Sequence, residues 1–285
     1  MSPFVVVLGI AQDGGVPQAG CRADCCAGIR SEPQRHRKVA CLGIVDPQAQ
    51  QRWLIDCTPD FPHQLDELNR CATGQDPGVD AILLTHAHVG HYAGLIHLGR
   101  EVMDARLPLF AMPRMRAFLQ RHLPWSDLVA NGNIVLRELH AQQPLQLSDA
   151  VSVEPFCVPH RGEHSETVGF TIRGPRHSAL YVPDIDSWEG PANIANLICD
   201  CDAAYLDGTF FSSDELPGRN LNEIPHPTLV ESMKYFAGLS APDKDKIHFL
   251  HFNHSNPVLN STSGAAQRVQ AAGHHLSTEG ETFQL

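Results

Sequence analysis

Three histidines within six positions, directly after an apolar run, constrain the fold of this chain more than any other feature. They are His86, His88 and His91, and residues 79–84 before them have the pattern of a buried strand. Side chains alternate along a strand, so His86 and His88 point to the same side. His91 follows where a helical pattern begins, and from there it reaches a second metal nearby. The stretch therefore predicts metal ligands presented at the end of a strand.

Length and composition restrict the class of protein. The chain has 285 residues, 42% hydrophobic and 19% charged, which suits a soluble globular protein with a sizeable core. Its net charge of −11 disfavours a nucleic-acid partner, because a phosphate backbone requires a positive field. No run reaches the length of a membrane span, and the N-terminus lacks the basic region and cleavage site of a signal peptide. We therefore expect a cytoplasmic protein with a small-molecule substrate and neither a nucleic-acid nor a membrane partner.

Strand-like and helical patterns alternate along the chain. We predict strands at 4–9, 41–45, 52–56, 79–85, 109–112, 134–138, 151–158, 167–173, 179–182, 203–206 and 246–251. We predict helices at 62–69, 94–101, 113–121, 229–237 and 265–272, and an irregular loop over 12–38. One mixed α/β domain covering residues 1–285, with a cysteine-rich insertion near 12–38, is the simplest account.

Polar residues recur at the ends of the predicted strands. Besides the three histidines, they are Asp56, His160, Asp184, Asp207 and His251. Such residues at the ends of several apolar strands predict one shared site at the edge of the sheets. The nearby alternatives are His164 for His160, Asp186 for Asp184, and His254 for His251. We prefer His160 because it ends its strand directly.

The order of these residues resembles the metallo-β-lactamase superfamily. The superfamily pattern is an Asp at a strand end, then His-x-His-x-Asp-His, then His, Asp and His on later strands. The matching positions here are Asp56; His86, His88, Gly90 and His91; His160; Asp184; and His251. The resemblance spans almost the whole chain. It implies an αββα sandwich, with two mixed sheets flanked by helices and a two-metal site between them.

The resemblance also implies ligand sets for the two metals. One metal takes His86, His88 and His160, and the other takes His91, His251 and a bridging Asp184. Asp56 then orients a ligand histidine from behind. Imidazole and carboxylate ligands suit zinc, manganese or iron. Two such metals would share a hydroxide, lower its pKa and stabilise a tetrahedral transition state.

Gly90 departs from the superfamily pattern, in which an Asp at this position ligates the second metal and helps with proton transfer. Three interpretations stay open. The second site is weakened but keeps three ligands, or Gly90 leaves room for a substrate group. Alternatively, a single metal is bound by His86, His160 and Asp184, the two-His, one-carboxylate set associated with non-haem iron and oxygen chemistry.

A second cluster of candidate ligands consists of Cys21, Cys25 and Cys26. The chain has nine cysteines and no secretion signal, which favours metal ligands or buried thiols over disulfides. Three thiolates and one imidazole make a closed tetrahedral zinc site, and His254 is the candidate fourth ligand. The alternative is a reactive or simply buried thiol cluster.

Residues 9–21 carry a narrower resemblance to two subfamilies. One is the cyclic phosphodiesterase of phosphonate breakdown, in which a cysteine-rich insertion holds a structural zinc. The other is the pyrroloquinoline-quinone biosynthesis protein B group, to which residues 158–161, 206–211 and 251–257 look closer. In the phosphodiesterase group a histidine follows the last catalytic-site histidine by three residues, and His254 stands in that relation to His251.

Further polar residues complete the predicted site. Asp56, Asp184, Asp207 and His226 are candidate catalytic residues, with His226 as a general acid that replaces the missing Asp. For Asp207 and His226 the alternative is a loop-capping role. The candidate substrate-binding residues are Tyr92, Arg161 and Glu163.

The leading hypothesis is a metal-dependent hydrolase that cleaves a small phosphodiester or related ester through a metal-bound hydroxide. The phosphodiester class is implied by the narrower resemblance. The first alternative is a mononuclear iron-dependent oxygenase or hydroxylase, and the second is a metal-stabilised, non-catalytic binding or carrier protein. We expect a structural zinc and one or two catalytic divalent metals (Zn, Mn or Fe). A homodimer is compatible with the resemblance, because the superfamily often dimerises.

Overall fold

A computed structural model describes residues 2–72, 78–215 and 224–285 of the chain. In these ranges the strands form two seven-stranded sheets. The first sheet contains β1 (Phe4–Gly9), β2 (Cys41–Asp46), β3 (Gln51–Ile55), β4 (Ala81–Leu83), β5 (Leu107–Ala111), β6 (Ile134–Glu138) and, at its far edge beside β1, β14 (Thr282–Gln284). The second contains β7 (Leu145–Gln146), β8 (Ser152–Cys157), β9 (Val168–Arg173), β10 (Ser178–Val182), β11 (Ala203–Asp207), β12 (Ile247–Leu250) and β13 (His275–Leu276).

The α-helices lie between the strands in sequence. They are α1 (Asp24–Ala27), α2 (Phe61–Cys71), α3 (Val89–Tyr92), α4 (Pro113–Arg121), α5 (Trp125–Ala130), α6 (Ile194–Cys199), α7 (Leu229–Tyr235), α8 (Ala241–Asp245) and α9 (Gly264–Ala271). A capping box formed by Thr228 and Glu231 begins α7, and a proline begins α4. None of the helices in the described ranges has the length and apolar character that a membrane span requires.

Alternation along β1 shows how the layers form. Val5 and Val7 belong to a buried cluster shared by both sheets, which also contains Phe170. Val6 and Leu8 point the other way, into a cluster with apolar residues of α2 and α4. Apolar residues of α6, α7 and α9 pack with the second sheet. Two mixed sheets flanked by helices confirm the predicted αββα class.

The strands that end in the candidate site run in the same direction within each sheet. In the first sheet β3 to β6 are parallel, and β1 runs with β3 because both are antiparallel to β2. In the second sheet β10 to β13 are parallel, and β8 runs with β10 because both are antiparallel to β9. The carboxyl ends of parallel strands meet at one edge of a sheet, where open sheets bind ligands.

Most predicted elements are confirmed, but one predicted helix is wrong in type. The hairpin of 41–45 and 52–56 is present as β2 and β3. Instead of a helix over 94–101, the chain forms the short α3 and a 3-10 helix, Ala93–Leu98. A Cβ on Gly94 would lie 2.0 Å from the Thr58 carbonyl oxygen, so this close approach sets the backbone path. The low helix propensity of glycine acts in the same direction.

Several short elements were not predicted, and one strand is less than half as long as predicted. The elements that the patterns missed are α1, α5, α6, α8, β7, β13 and β14, and the strand predicted over 79–85 is reduced to β4. Elements of two to six residues carry too few positions for periodicity to identify them.

Candidate metal centre

Four candidate ligand atoms converge where β4, β8 and β10 end. They are His86 Nε2, His88 Nδ1, His160 Nε2 and Asp184 Oδ2. His88 Nδ1 lies 2.9 Å from the Nε2 atoms of both His86 and His160. Asp184 Oδ2 lies 3.2 Å from His86 Nε2 and 3.1 Å from His160 Nε2. We call these four residues the first group. Ligands about 2.1 Å from a tetrahedral zinc lie about 3.4 Å apart, so the spacing of the first group fits a divalent cation.

Three further ligand atoms form a second group beside the first. They are Asp13 Oδ1, His91 Nε2 and His251 Nε2. His91 Nε2 lies 3.6 Å from Asp13 Oδ1 and 3.9 Å from Asp184 Oδ2, and His251 Nε2 lies 4.0 Å from Asp184 Oδ2. Asp184 thus stands between the two groups, in the bridging position that the resemblance implies.

Buried polar atoms in the second group have no hydrogen-bond partner among the described residues. They are Asp13 Oδ1, His91 Nε2 and His251 Nε2. Burial of a polar group without a partner costs about 1–3 kcal/mol, and such groups are rare in native proteins. A cation bound between these atoms would satisfy all three, so the residues present fit a metal here as well.

Four of the candidate histidines direct their other ring nitrogen at an acceptor. The pairs are His86 Nδ1 with Thr85 Oγ1 at 2.9 Å, His91 Nδ1 with Asp56 Oδ2 at 2.7 Å, His160 Nδ1 with Asp186 Oδ1 at 2.7 Å, and His251 Nδ1 with Thr209 Oγ1 at 2.8 Å. Each pair holds the ring with the Nε2 lone pair facing the cluster, which is the usual support for a metal-binding imidazole. The sequence missed Thr85, Thr209 and this role of Asp186.

Asp56 and Asp207 support the site from opposite sheets. Asp56 accepts hydrogen bonds from Thr85 Oγ1 and His91 Nδ1, and Asp207 accepts from Thr209 Oγ1 at 2.7 Å. Both carboxylates are fully buried. Asp56 has a φ of +73°, a left-handed conformation that costs energy for a non-glycine residue. Surrounding hydrogen bonds hold this conformation, which turns the carboxylate toward His91.

The electrostatics favour the metal-binding forms of two ligands. Burial raises the pKa of Asp184, but the charges of His160 and His226 outweigh burial and hold it well below its usual value. Burial and the charge of His91 hold the pKa of His86 well below 6.5, and Asp184 only partly offsets them. An ionised carboxylate and a neutral imidazole are the forms that bind metal.

His226 lies beside the cluster, and its orientation differs from that of the candidate ligands. Its Nδ1 lies 2.8 Å from Asp207 Oδ2 and 3.4 Å from Asp184 Oδ1. Its buried Nε2 has no hydrogen-bond partner among the residues that the structure describes. His226 also lines a cavity of about 490 Å³ with Asp186, Trp188 and other residues. Burial lowers the pKa of His226, but the charges of Asp207 and Asp184 outweigh burial and raise it to about 9.

The structure shows which of the neighbouring candidate residues lie in the cluster. His160, Asp184 and His251 lie in the cluster. His164 is exposed, with its ring 5.5 Å from that of Phe118, while Asp186 stands behind His160. These placements agree with the order of preference derived from strand ends.

Cys21, Cys25, Cys26 and His254 form a third group of candidate ligands, near the start of α1. Cys21 Sγ lies 3.8 Å from Cys25 Sγ. The Nδ1 of His254 lies 3.4 Å from Cys25 Sγ and 3.5 Å from Cys26 Sγ. Thiolates bound about 2.3 Å from a tetrahedral zinc lie about 3.8 Å apart, so the group fits a closed zinc site.

The three predicted substrate-binding residues lie in different surroundings. Tyr92 is buried, and its ring lies 4.8 Å from that of Trp125, which are the contacts of a core residue. Arg161 is partly exposed and Glu163 is exposed. The loop between them is held by Arg114, whose Nη2 donates to the Gly162 carbonyl at 2.6 Å.

Asp13 is the acidic residue of the cluster that the sequence missed. It follows the end of β1 by four residues, in the same way that other site residues follow their strands. It also stands directly before Gly14 and Gly15, in a segment where the resemblance drew attention to cysteines instead. Its position after a buried strand is the signal that identifies it.

Comparison with known proteins identifies the family of this chain. Residues 51–249 match the family described as the Beta-lactamase superfamily domain. Coenzyme PQQ synthesis protein B of Ruegeria pomeroyi is 27% identical over 293 residues, covering 94% of each chain. The protein of the same name from Klebsiella pneumoniae (strain 342) is 26% identical and covers 99% of this chain and 98% of its own length.

Solved structures share the fold along the whole chain. The Zn(2+)-bound PqqB from Methylobacterium extorquens has a TM-score of 0.84 and 24% identity, with 99% of this chain and 100% of that chain covered. A diphosphatase from the PhnP family has a TM-score of 0.71 and 24% identity, with 100% and 98% covered. At this level of identity the two likenesses establish the fold.

Proposed function

The chain belongs to the beta-lactamase superfamily, and from that premise we propose that it is a metal-dependent hydrolase of a small phosphodiester or related ester. One observation carries the proposal: Asp184 Oδ2 lies within 4.0 Å of histidine nitrogens in both the first and the second ligand group. Two divalent metals held side by side activate a water and stabilise the charge of a tetrahedral transition state. Zinc, manganese and iron all suit these ligands.

The charge of the cluster supports an anionic substrate. Two divalent metals and the two direct carboxylate ligands, Asp13 and Asp184, would sum to a formal charge of about +2, while the carboxylates of Asp56, Asp186 and Asp207 lie behind the histidines. A phosphodiester carries one negative charge and is drawn to such a site. The negative net charge of the rest of the chain does not prevent this, because a buried site acts mainly through its nearest charges.

His226 supplies the general acid in this proposal. Its Nδ1 is held by Asp207, and its Nε2 is buried without a hydrogen-bond partner in the described part of the chain. In the metal-free protein the carboxylates of Asp207 and Asp184 outweigh burial and raise the pKa of the ring to about 9, which favours its protonated form. In this proposal the Nε2 proton passes to the leaving-group oxygen of an ester bound at the metals.

The third group holds a structural zinc in this proposal. Cys21, Cys25, Cys26 and His254 supply four ligands, so no position stays open for a substrate. The site connects the loop after β1 with the segment after β12, because His254 follows that strand. Zinc there stabilises the loop that carries Asp13.

The second candidate function is an iron-dependent oxygenase or hydroxylase. The observation that favours it is the name of the curated relatives, Coenzyme PQQ synthesis protein B, which match this chain over nearly its whole length. His86, His160 and Asp184 would provide the two-His, one-carboxylate set for one iron. This function leaves the second ligand group without a purpose, so the hydrolase is the stronger candidate.

Hydrolysis of bis(p-nitrophenyl) phosphate by protein loaded with zinc, manganese or iron tests the proposal. We expect metal-dependent turnover that His86→Ala and His160→Ala abolish together with one equivalent of bound metal. Unchanged hydrolysis and metal content in both variants would refute the hydrolase. Oxygen consumption by the anaerobically purified, iron-loaded protein, without any hydrolysis, would support the oxygenase instead.

A further inference from the structure

The carboxylate of Asp13 occupies the space that a side chain at position 90 would need. A Cβ built on Gly90 would lie 2.1 Å from Asp13 Oδ1 and 2.6 Å from Asp13 Cα. Both distances are far below van der Waals contact, and the second involves backbone that cannot rotate away. The glycine is therefore required for Asp13 to approach, and its lack of a side chain is matched by a carboxylate from another part of the chain.

Parallel backbone pairing brings the segment that carries Asp13 beside the segment that carries His251. The segment after β1 runs beside the segment after β12: Phe252 N donates to the Ile10 carbonyl at 2.8 Å, and Gln12 N donates to the Phe252 carbonyl at 2.9 Å. Asp13 and His251 are therefore the immediate neighbours of two paired residues. A turn closed by a hydrogen bond from Gly15 N to the Gln12 carbonyl at 2.8 Å then holds the backbone of Asp13.

The Asp13 side chain points into the cluster although part of it reaches solvent. Its side chain is 28% exposed, yet Oδ1 is buried and has no hydrogen-bond partner among the described residues. That oxygen lies 3.6 Å from His91 Nε2, whose lone pair is directed inward by Asp56. A surface aspartate without a binding role would expose both carboxylate oxygens to water.

We propose that Asp13 is a ligand of the second metal and supplies the carboxylate that position 90 lacks. The second metal is then held by Asp13, His91, His251 and the shared Asp184, which restores four protein ligands. This inference rests on the two-metal site of the proposed function, but it concerns metal binding alone and needs no substrate.

Metal binding by Asp13→Asn tests the proposal, because asparagine keeps the shape of the side chain and removes its charge. The matched control is Asp66→Asn, an exposed acid that lines the same groove as Asp13 but lies outside all the ligand groups. Each protein is stripped with a chelator and reloaded with Zn²⁺ or Mn²⁺. Metal content is then measured by mass spectrometry, and affinity by competition with a chromophoric chelator.

We expect three zinc ions per chain in the wild type and in Asp66→Asn. In Asp13→Asn one of the three should bind at least about tenfold more weakly, a loss at the lower end of what even indirect ligand support contributes. Three ions bound with unchanged affinity in Asp13→Asn would overturn the proposal. Loss of the ion in Asp13→Asn while the wild type hydrolyses no ester would keep the inference and refute the proposed function.

A measurement on the wild-type protein covers the case in which Asp13→Asn fails to fold. Crystals loaded with Mn²⁺ and measured at its absorption edge should give an anomalous peak in contact with Asp13, His91 and His251. A peak at His91 and His251 that leaves Asp13 outside bonding distance would overturn the proposal without any substitution.

Discussion

The Nδ1 of His226 lies 2.8 Å from Asp207 Oδ2, and the same carboxylate group accepts a hydrogen bond from Thr209, which contacts His251. Asp207 thus connects the proposed proton donor with a candidate metal ligand. The arrangement fixes the orientation of His226, whose Nε2 has no hydrogen-bond partner within residues 2–72, 78–215 and 224–285. If Asp207 only capped a loop, it would not need hydrogen bonds to both His226 and Thr209.

The first prediction is that His226→Gln reduces kcat about 10²–10⁴-fold, the usual contribution of a general acid, while metal content stays unchanged. His226 acts as an acid only while it is protonated, so wild-type activity should fall as pH rises through its pKa. Bound metals should bring this pKa below the value of about 9 in the metal-free protein, because they neutralise Asp184. Rate profiles from pH 5 to 10 provide the measurement. A variant that keeps the alkaline decline would show that another group is the acid.

The second prediction concerns the stability of the metal-free protein. The folded-state pKa of His226 is raised from 6.5 to about 9, so protonated His226 stabilises the native state. This contribution is complete below pH 6.5 and is lost as pH rises through about 9. Urea unfolding in chelator should therefore show a gap in unfolding free energy between wild type and His226→Gln that shrinks from pH 6 to pH 10. A gap that is constant or widens across this range would contradict the assignment.

The third prediction is that Asp186→Asn weakens the first metal site by about 10–100-fold, because the charged carboxylate that orients His160 is replaced by a neutral, weaker acceptor. The second and third sites should keep their affinity. Asp149→Asn, an exposed acid between β7 and β8, serves as the control. Chelator competition on the reloaded proteins measures the change. Equal affinities for Asp186→Asn and the control would remove Asp186 from the site.

The fourth prediction is that Cys25→Ser releases the structural zinc and leaves the two other metals in place. Serine is a poor zinc ligand, so the variant should bind one ion fewer and unfold at a lower temperature. Cys199→Ser, at an exposed position outside the cluster, should behave as the wild type. Metal analysis and thermal unfolding together decide the result. Unchanged metal content in Cys25→Ser would identify the cluster as a set of free thiols.

The fifth prediction is that Gly90→Ala destabilises the protein by about 1–3 kcal/mol, the usual cost of forcing a methyl group into filled space. The same clash should displace Asp13 and lower the affinity for one metal. Gly28→Ala provides the control, because nothing lies within 4 Å of the added Cβ. Urea unfolding and metal titration measure both effects. Normal stability and metal binding in Gly90→Ala would show that Asp13 has no fixed position there.

Local sequence patterns identified much of the site. His86, His88 and His91 could be recognised because a strand followed by a turn fixes where neighbouring side chains point. Asp56, Asp184 and His251 could be recognised because each follows an apolar strand within two residues, and strand ends meet at one edge. The positions of short helices and edge strands could not, because they depend on packing against the rest of the fold.

The sequence by itself determined the αββα class, the ligands presented by strand ends, and the absence of a side chain at position 90. Only the tertiary structure decided what that absence means. Asp13 and Gly90 are far apart in the chain, and no periodic pattern relates them. Asp13 lies against Gly90 on a segment after β1 that pairs with the segment after β12, which carries His251. A space left by one element can be filled by a side chain from another, and such complementarity exists only after the strands have paired.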